Sequence, residues 1–303
     1  MATFANASTR PRPGGSLVAG VFTNYAKTAV LMAVLVALLA IGGHAVGGYQ
    51  GMLMFGGIGL LMNFIMYWFS DRIALMAHHA REVGPTEAPA LHAIVERLAR
   101  RAGLPMPRLY IIPSEALNAF ATGRNPQHAA VAVTAGLMDL LDERQLAAVL
   151  AHELSHVRNR DILIATIAAG VAGLISSVGY LLQWGSMLGG QSRDDEQRGG
   201  GLAALAWIIV APIVALLIQM AISRSREFAA DNSGAVLTGD PEGLAQALAN
   251  LERAQQVRPY EHAGPATAHL FIVNPLRGGL ATVMKFLSTH PPIEERIARL
   301  RAM

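Results

Sequence analysis

The chain has 303 residues, of which 52% are hydrophobic and only 15% charged, with a net charge of +3. A soluble domain carries about 25% charged residues, so the length reads as one ordinary domain plus apolar spans, and so small and scattered a positive excess leaves no footprint for nucleic acid. The absence of cysteine excludes disulfide frameworks, thiolate metal sites and cysteine nucleophiles, so any metal site must be built from His, Asp and Glu, ligands suited to zinc and its neighbours.

Residues 1–26, with S-T-R-P-R-P-G-G, read as a flexible tail. Residues 27–70 read as a transmembrane hairpin. Lys27 precedes an apolar run of near-minimal spanning length, for which a secretory signal peptide is the competing reading. A second run, Gly51 to Ser70, has Asn63 as its only strongly polar residue and ends near Tyr67 and Trp68, where an aromatic belt belongs.

Residues 71–160 read as a mixed α+β module. Leu91, Ile94, Val95 and Leu98 recur at helical spacing, with Gly103 as a stop and Pro105 beyond it. P-R-L-Y-I-I-P and A-A-V-A-V-T read as strands, N-A-F-A-T-G as a turn or short strand, and a helix runs from Asp142 or Glu143 to about Asn159. Residues 161–222 hold two further apolar runs, the second with Pro212 inside it. Both exceed the roughly 10–14 residues of a core helix, which favours four spans over two. Residues 223–303 return to the polar module with two more helical patterns. Basic residues flank the runs on one side: Arg10, Arg12 and Lys27 before the first, Arg72 and Arg81 after the second, Arg158 and Arg160 before the third, Arg224 and Arg226 after the fourth. The loop between the first two runs has no Lys or Arg. Both termini and the intervening module therefore belong on the cytoplasmic side.

The chemistry is concentrated in A-H-E-L-S-H-V, Ala151 to Val157. On a helix, His152 and His156 share one face and can grip one metal ion. Glu153 is rotated by about 100° and sits beside the open position, where it can take a proton from water. Two imidazoles and a carboxylate on an otherwise apolar helix are costly with nothing to bind. A catalytic zinc needs a third protein ligand. The best candidate lies in S-R-S-R-E-F-A-A-D, where Glu227 and Asp231 form an i, i+4 pair. Glu227 would ligate, and Asp231 would accept a hydrogen bond from the far nitrogen of a ligating histidine. An exposed acidic pair tied to Arg224 and Arg226 is the plainer alternative.

H-E-L-S-H, an apolar pair, S-R-S-R-E-F-A-A-D and then T-H-P-P-I-E-E-R-I together resemble the M48 family of membrane metallopeptidases, from about Lys27 to the end. The resemblance implies a mostly helical α+β, gluzincin-like integral membrane protein. It implies one zinc per chain on His152, His156 and Glu227, with Glu153 as general base, in a bacterial inner membrane with the active site facing the cytoplasm. Membrane and misfolded proteins are the implied substrates, in quality control and envelope stress. Two further stretches match the family. Asn118 and Ala119 become substrate contacts by strand addition, and His290 a donor to the oxyanion with Arg296 supporting it. A plain turn and a helix cap starting at Thr289 are the respective alternatives. The remaining histidines, among them His78, His79, His92 and His128, read as surface or loop residues. The rival functions are a narrow-specificity processing or signalling peptidase of the same family, and a non-catalytic membrane scaffold with a structural zinc. Oligomeric state is open, a homo-oligomer included.

Overall fold

The computed structural model describes residues 13–162, 224–257 and 291–303. Nearly all of the third and fourth apolar runs, and both Thr289 and His290, lie outside them. The first element, α1, is Pro13–Ala77. It begins inside the segment expected to be an irregular tail, because Pro13 suits a first helical turn and S-L-V-A-G-V-F follows it.

A straight helix would separate residues 32 and 63 by about 46 Å. Instead, the Asn63 side-chain amide donates to the Met32 carbonyl at 2.9 Å, and a Cβ placed on Gly59 would lie 3.3 Å from the Val36 Cα. The chain therefore doubles back. The midpoint of these contacts is Gly48, whose φ of +58° is open to glycine at little cost. Among the described residues, Gly48–Phe69 is long and apolar enough to cross a membrane, whereas the apolar stretch Tyr25–Ile41 is shorter. Leu53, Met54, Leu60, Leu61 and Phe64 are exposed along the second arm.

A four-stranded sheet follows: β1 (Arg81–Glu82), β2 (Arg108–Ile112), β3 (Ala119–Thr122) and β4 (Ala130–Thr134), in the order β1-β2-β4-β3. β2 and β4 are parallel and the other pairs antiparallel. β4 is buried throughout because both faces of the sheet are covered. On one face Leu109, Ala119, Val131 and Val133 join the main core, with α2 (Pro89–Ala102) and α4 (Glu143–Arg158). On the other, Tyr110, Ile112, Phe120, Ala130 and Ala132 meet Leu75 from the end of α1. The short α3 (Ala135–Leu140) starts from a Thr134 cap. α5 (Arg224–Thr238), α6 (Pro241–Val257) and α7 (Ile293–Arg301) complete the described α-helices.

The expected burial of Leu91, Ile94, Val95 and Leu98 is observed. α4 starts where its sequence says it should: the Asp142 side chain accepts from the Gln145 N–H at 2.8 Å, an N-cap. α7 is entered through Pro292, with no side-chain cap.

Candidate metal centre

α4 is buried on almost every side, His152, Glu153 and Ser155 included. α5 packs against it closely: a Cβ on Gly234 would fall 2.9 Å from the His152 backbone nitrogen. That approach sets the depth at which Asp231 and Glu227, one and two turns back along the same face of α5, meet the histidines.

The two Nε2 atoms of His152 and His156 face one another at 3.2 Å. Glu227 closes the triangle, with Oε2 3.8 Å from His152 Nε2 and Oε1 3.5 Å from His156 Nε2. Ligands about 2.0–2.1 Å from a tetrahedral zinc stand about 3.3 Å apart, so this set matches the edges of such a polyhedron. Behind each imidazole is a carboxylate. His152 Nδ1 lies 2.9 Å from Asp231 Oδ1, off the line of an ideal hydrogen bond, and His156 Nδ1 lies 3.2 Å from Asp161 Oδ2. Carboxylates there hold the proton on Nδ1 and turn both Nε2 lone pairs inward. Two inward lone pairs beside a carboxylate repel one another unless a proton or a metal cation lies between them.

Arg296, 1% exposed, supports this arrangement from α7. Its Nε donates to Asp231 Oδ2 at 2.8 Å and its Nη2 to Asp231 Oδ1 at 2.6 Å, and Nη1 is 3.9 Å from Glu227 Oε2. Burial works against ionised Asp231, but the Arg296 guanidinium and the contact with His152 outweigh it and hold the carboxyl well below its usual range. Arg226 lies 3.7 Å from Asp161. Burial would likewise push His156 down, yet Asp161, Glu227 and Glu153 together raise its pKa to about 9. Among the described residues, the four carboxylates Glu153, Asp161, Glu227 and Asp231 face two guanidinium groups, Arg226 and Arg296. With neutral imidazoles, a divalent cation balances the charge.

Glu153 does not join the triangle. It is 8% exposed, and its Oε2 accepts from the Ala121 N–H at 3.1 Å. β3 is one of the two edge strands of the sheet. The Thr134 N–H donates to the Asn118 carbonyl at 3.0 Å, and the Asn118 N–H to Thr134 Oγ1 at 3.0 Å. Asn118 is therefore engaged with β4. By the antiparallel alternation, the backbone groups of Ala119 and Ala121 face the open edge.

The sequence reading thus placed His152, His156, Glu227, Asp231 and Glu153 on elements that converge. Arg296 sits against Asp231 and Glu227, and His290 lies outside the described residues. It did not single out Asp161. That residue stands five positions after His156, and Arg160 at φ +61° turns the chain to bring it back. A left-handed non-glycine costs on the order of 1 kcal/mol. No spacing rule flags it, although an acid immediately after the helix was the available signal.

The Peptidase family M48 profile matches residues 85–303. The "Protease HtpX homolog" of Desulforapulum autotrophicum is 53% identical over 282 residues, spanning 92% of this chain and 89% of that one. Those of Aquifex aeolicus and Thermococcus kodakarensis are 52% identical over 267 residues and 51% over 275, covering 87% and 91% of this chain and 87% and 94% of theirs. The crystal structure of S. mikatae Ste24p superposes with a TM-score of 0.52 over 93% of this chain and 67% of that one, at 18% identity, a likeness of fold alone. Half of its residues shared with such relatives across most of its length, and every described element from α2 onward inside the matched profile, the chain belongs to peptidase family M48.

Proposed function

We propose that this chain is a zinc-dependent endopeptidase of a membrane, cleaving membrane or misfolded proteins at a site on the cytoplasmic side, in protein quality control and stress response. The observation that carries the reading is the convergence of His152, His156 and Glu227 within 4.8 Å of one another, with Glu153 adjacent and bonded to an edge strand. His152, His156 and Glu227 would hold the metal. When bound, zinc supplies a Lewis acid that polarises a carbonyl and acidifies water. Glu153 takes the proton from water and delivers it to the leaving amine. Substrate lies along β3 as an added strand, bonding to Ala119 and reaching Glu153 beside Ala121. Asp231 and Asp161 fix the imidazoles, and Arg296 keeps Asp231 ionised.

The two arms of α1 are read as spans in a bacterial plasma membrane, supported by the exposed apolar second arm and by the basic residues at its polar end. The runs within 161–222 are read as a second pair. The test compares the wild type with Glu153→Gln on an unfolded protein such as casein, with metal content measured beside it. The expected outcome is about one zinc in each protein and a loss of hydrolysis of about 10²–10⁴-fold in the variant. Equal cleavage by both removes Glu153 from the reaction. Zinc in both with cleavage by neither favours the structural-zinc scaffold.

A further inference from the structure

Away from the metal centre, at the polar end of the apolar arm of α1, a cavity of about 620 Å³ opens between that arm, the start of β2 and the turn after β3. It carries three guanidinium groups, those of Arg72, Arg108 and Arg124, and one carboxylate, Asp71. Asp71 is occupied by Arg108 at 2.9 Å, and Arg108 also donates to the Tyr110 hydroxyl at 3.1 Å. The other two cations are held on aromatic faces: Arg124 4.6 Å above the Trp68 ring and Arg72 5.8 Å from that of Phe69. Stacking fixes the plane of a guanidinium while leaving its N–H edge available. The cavity is therefore positive by two charges, and among the described residues Arg72 and Arg124 pair with no carboxylate. The rim is apolar: Phe64, Trp68 and Phe69 are exposed, at 58%, 42% and 41%, where an ordinary soluble surface would cover such a cluster.

We propose that this cavity binds the phosphodiester headgroup of an anionic glycerophospholipid. Arg72 and Arg124 grip the phosphate oxygens, Asp71 orients Arg108 toward them, and the first carbons of the acyl chains lie against Phe64 and Trp68. The inference rests on the membrane reading above. If Gly48–Phe69 crosses a bilayer, the hydrocarbon ends at Phe69 and the headgroup layer begins at Asp71 and Arg72, which is the depth of the cavity. Forked guanidinium groups match phosphate geometry better than lysine ammonium groups do, and basic pockets at the cytoplasmic end of spans suit anionic headgroups. Such a lipid would bridge the α1 arm to the β2 and β3 side of the peptidase module.

The test uses the full chain, zinc-loaded and reconstituted in nanodiscs of phosphatidylcholine with or without phosphatidylglycerol. Lipid retained by the released protein is measured by native mass spectrometry. The wild type should retain phosphatidylglycerol over phosphatidylcholine by about tenfold or more, and an R72Q/R124Q double variant should lose that preference while keeping its zinc. Inorganic phosphate at about a hundredfold excess over lipid should leave the preference unchanged, because a free anion lacks the apolar contacts. Equal retention of both lipids by the wild type, or an undiminished preference in the double variant, overturns the proposal. Displacement of the lipid by inorganic phosphate alone assigns the cavity to a free anion and overturns the lipid source. Failure of the wild type to incorporate into any nanodisc is a separate outcome that overturns the membrane reading itself, and this proposal with it.

Discussion

At the scale of single residues, the arrangement of the centre depends on groups that stand behind the imidazoles. Arg296 forks both donors onto Asp231, and a lysine could not reproduce that geometry. Asp161 reaches His156 from the opposite side by way of a strained Arg160. We expect Asp161→Asn to weaken zinc binding about 10–100-fold in a chelator competition, because the amide cannot hold the His156 tautomer as the carboxylate does. Unchanged affinity would leave Asp161 as no more than a partner for Arg226. The pairing of His152 with His156 on one helix face was legible because i, i+4 spacing on a helix is a local rule. Asp161 and the true contacts of Arg296 were not, since a left-handed turn and a pairing across 65 residues are set by tertiary packing.

At the scale of elements, the centre is an interface between α4 and α5, and its closest point is Gly234 against the His152 backbone. Backbone atoms cannot step aside as a flexible side chain can, so Gly234→Ala should lose about 1–3 kcal/mol of stability. It should weaken zinc binding in the same preparation, read by unfolding midpoints and metal titration; an unchanged pair of values would mean that the two helices slide freely. A second fastener links α4 to the α5–α6 turn, where Arg144 Nη2 donates to Asp240 Oδ1 at 2.7 Å, and Asp240 Oδ1 also caps Gly243 at 2.9 Å. The Arg144 hydrogen bond lowers the Asp240 pKa from 3.8, against the smaller opposing effect of burial. A carboxylate depressed in the folded state stabilises it above its unfolded pKa and ceases to do so as pH falls. The stability advantage of the wild type over Asp240→Asn should therefore be constant at neutral pH and shrink only below about pH 4. An advantage that shrank near pH 6 would point to a histidine instead. Sequence periodicity found α2, α4, β2 and β4 with their boundaries nearly right. It left β3 between a turn and a strand, and α3 unremarked, because four or six residues carry too little pattern to choose.

At the scale of the whole molecule, α4 and α5 come from stretches more than 60 residues apart and meet at the triangle of His152, His156 and Glu227. A metal bound only by the assembled centre stabilises it by mass action, about 4 kcal/mol at a thousandfold excess over the dissociation constant. Chelation should accordingly make the detergent-solubilised protein markedly more sensitive to limited proteolysis, and re-addition of zinc should restore resistance. Identical digestion patterns would mean that packing alone holds the two helices together. The sheet links this unit to α1 through Leu75, Tyr110 and Phe120, so the peptidase module and the apolar helix share a core. Composition and local periodicity by themselves determined the apolar runs, the α+β module between them, and the two histidines and glutamate of one helix face, because those features depend on neighbours within a few turns. Only the tertiary structure decided that the turn of the expected hairpin falls at Gly48, that Asp161 and Arg296 stand behind the two imidazoles and Glu227, and that Asn118 turns toward β4 while Ala119 faces the open edge. Each of these depends on which distant surfaces exclude water together, and no local pattern encodes that.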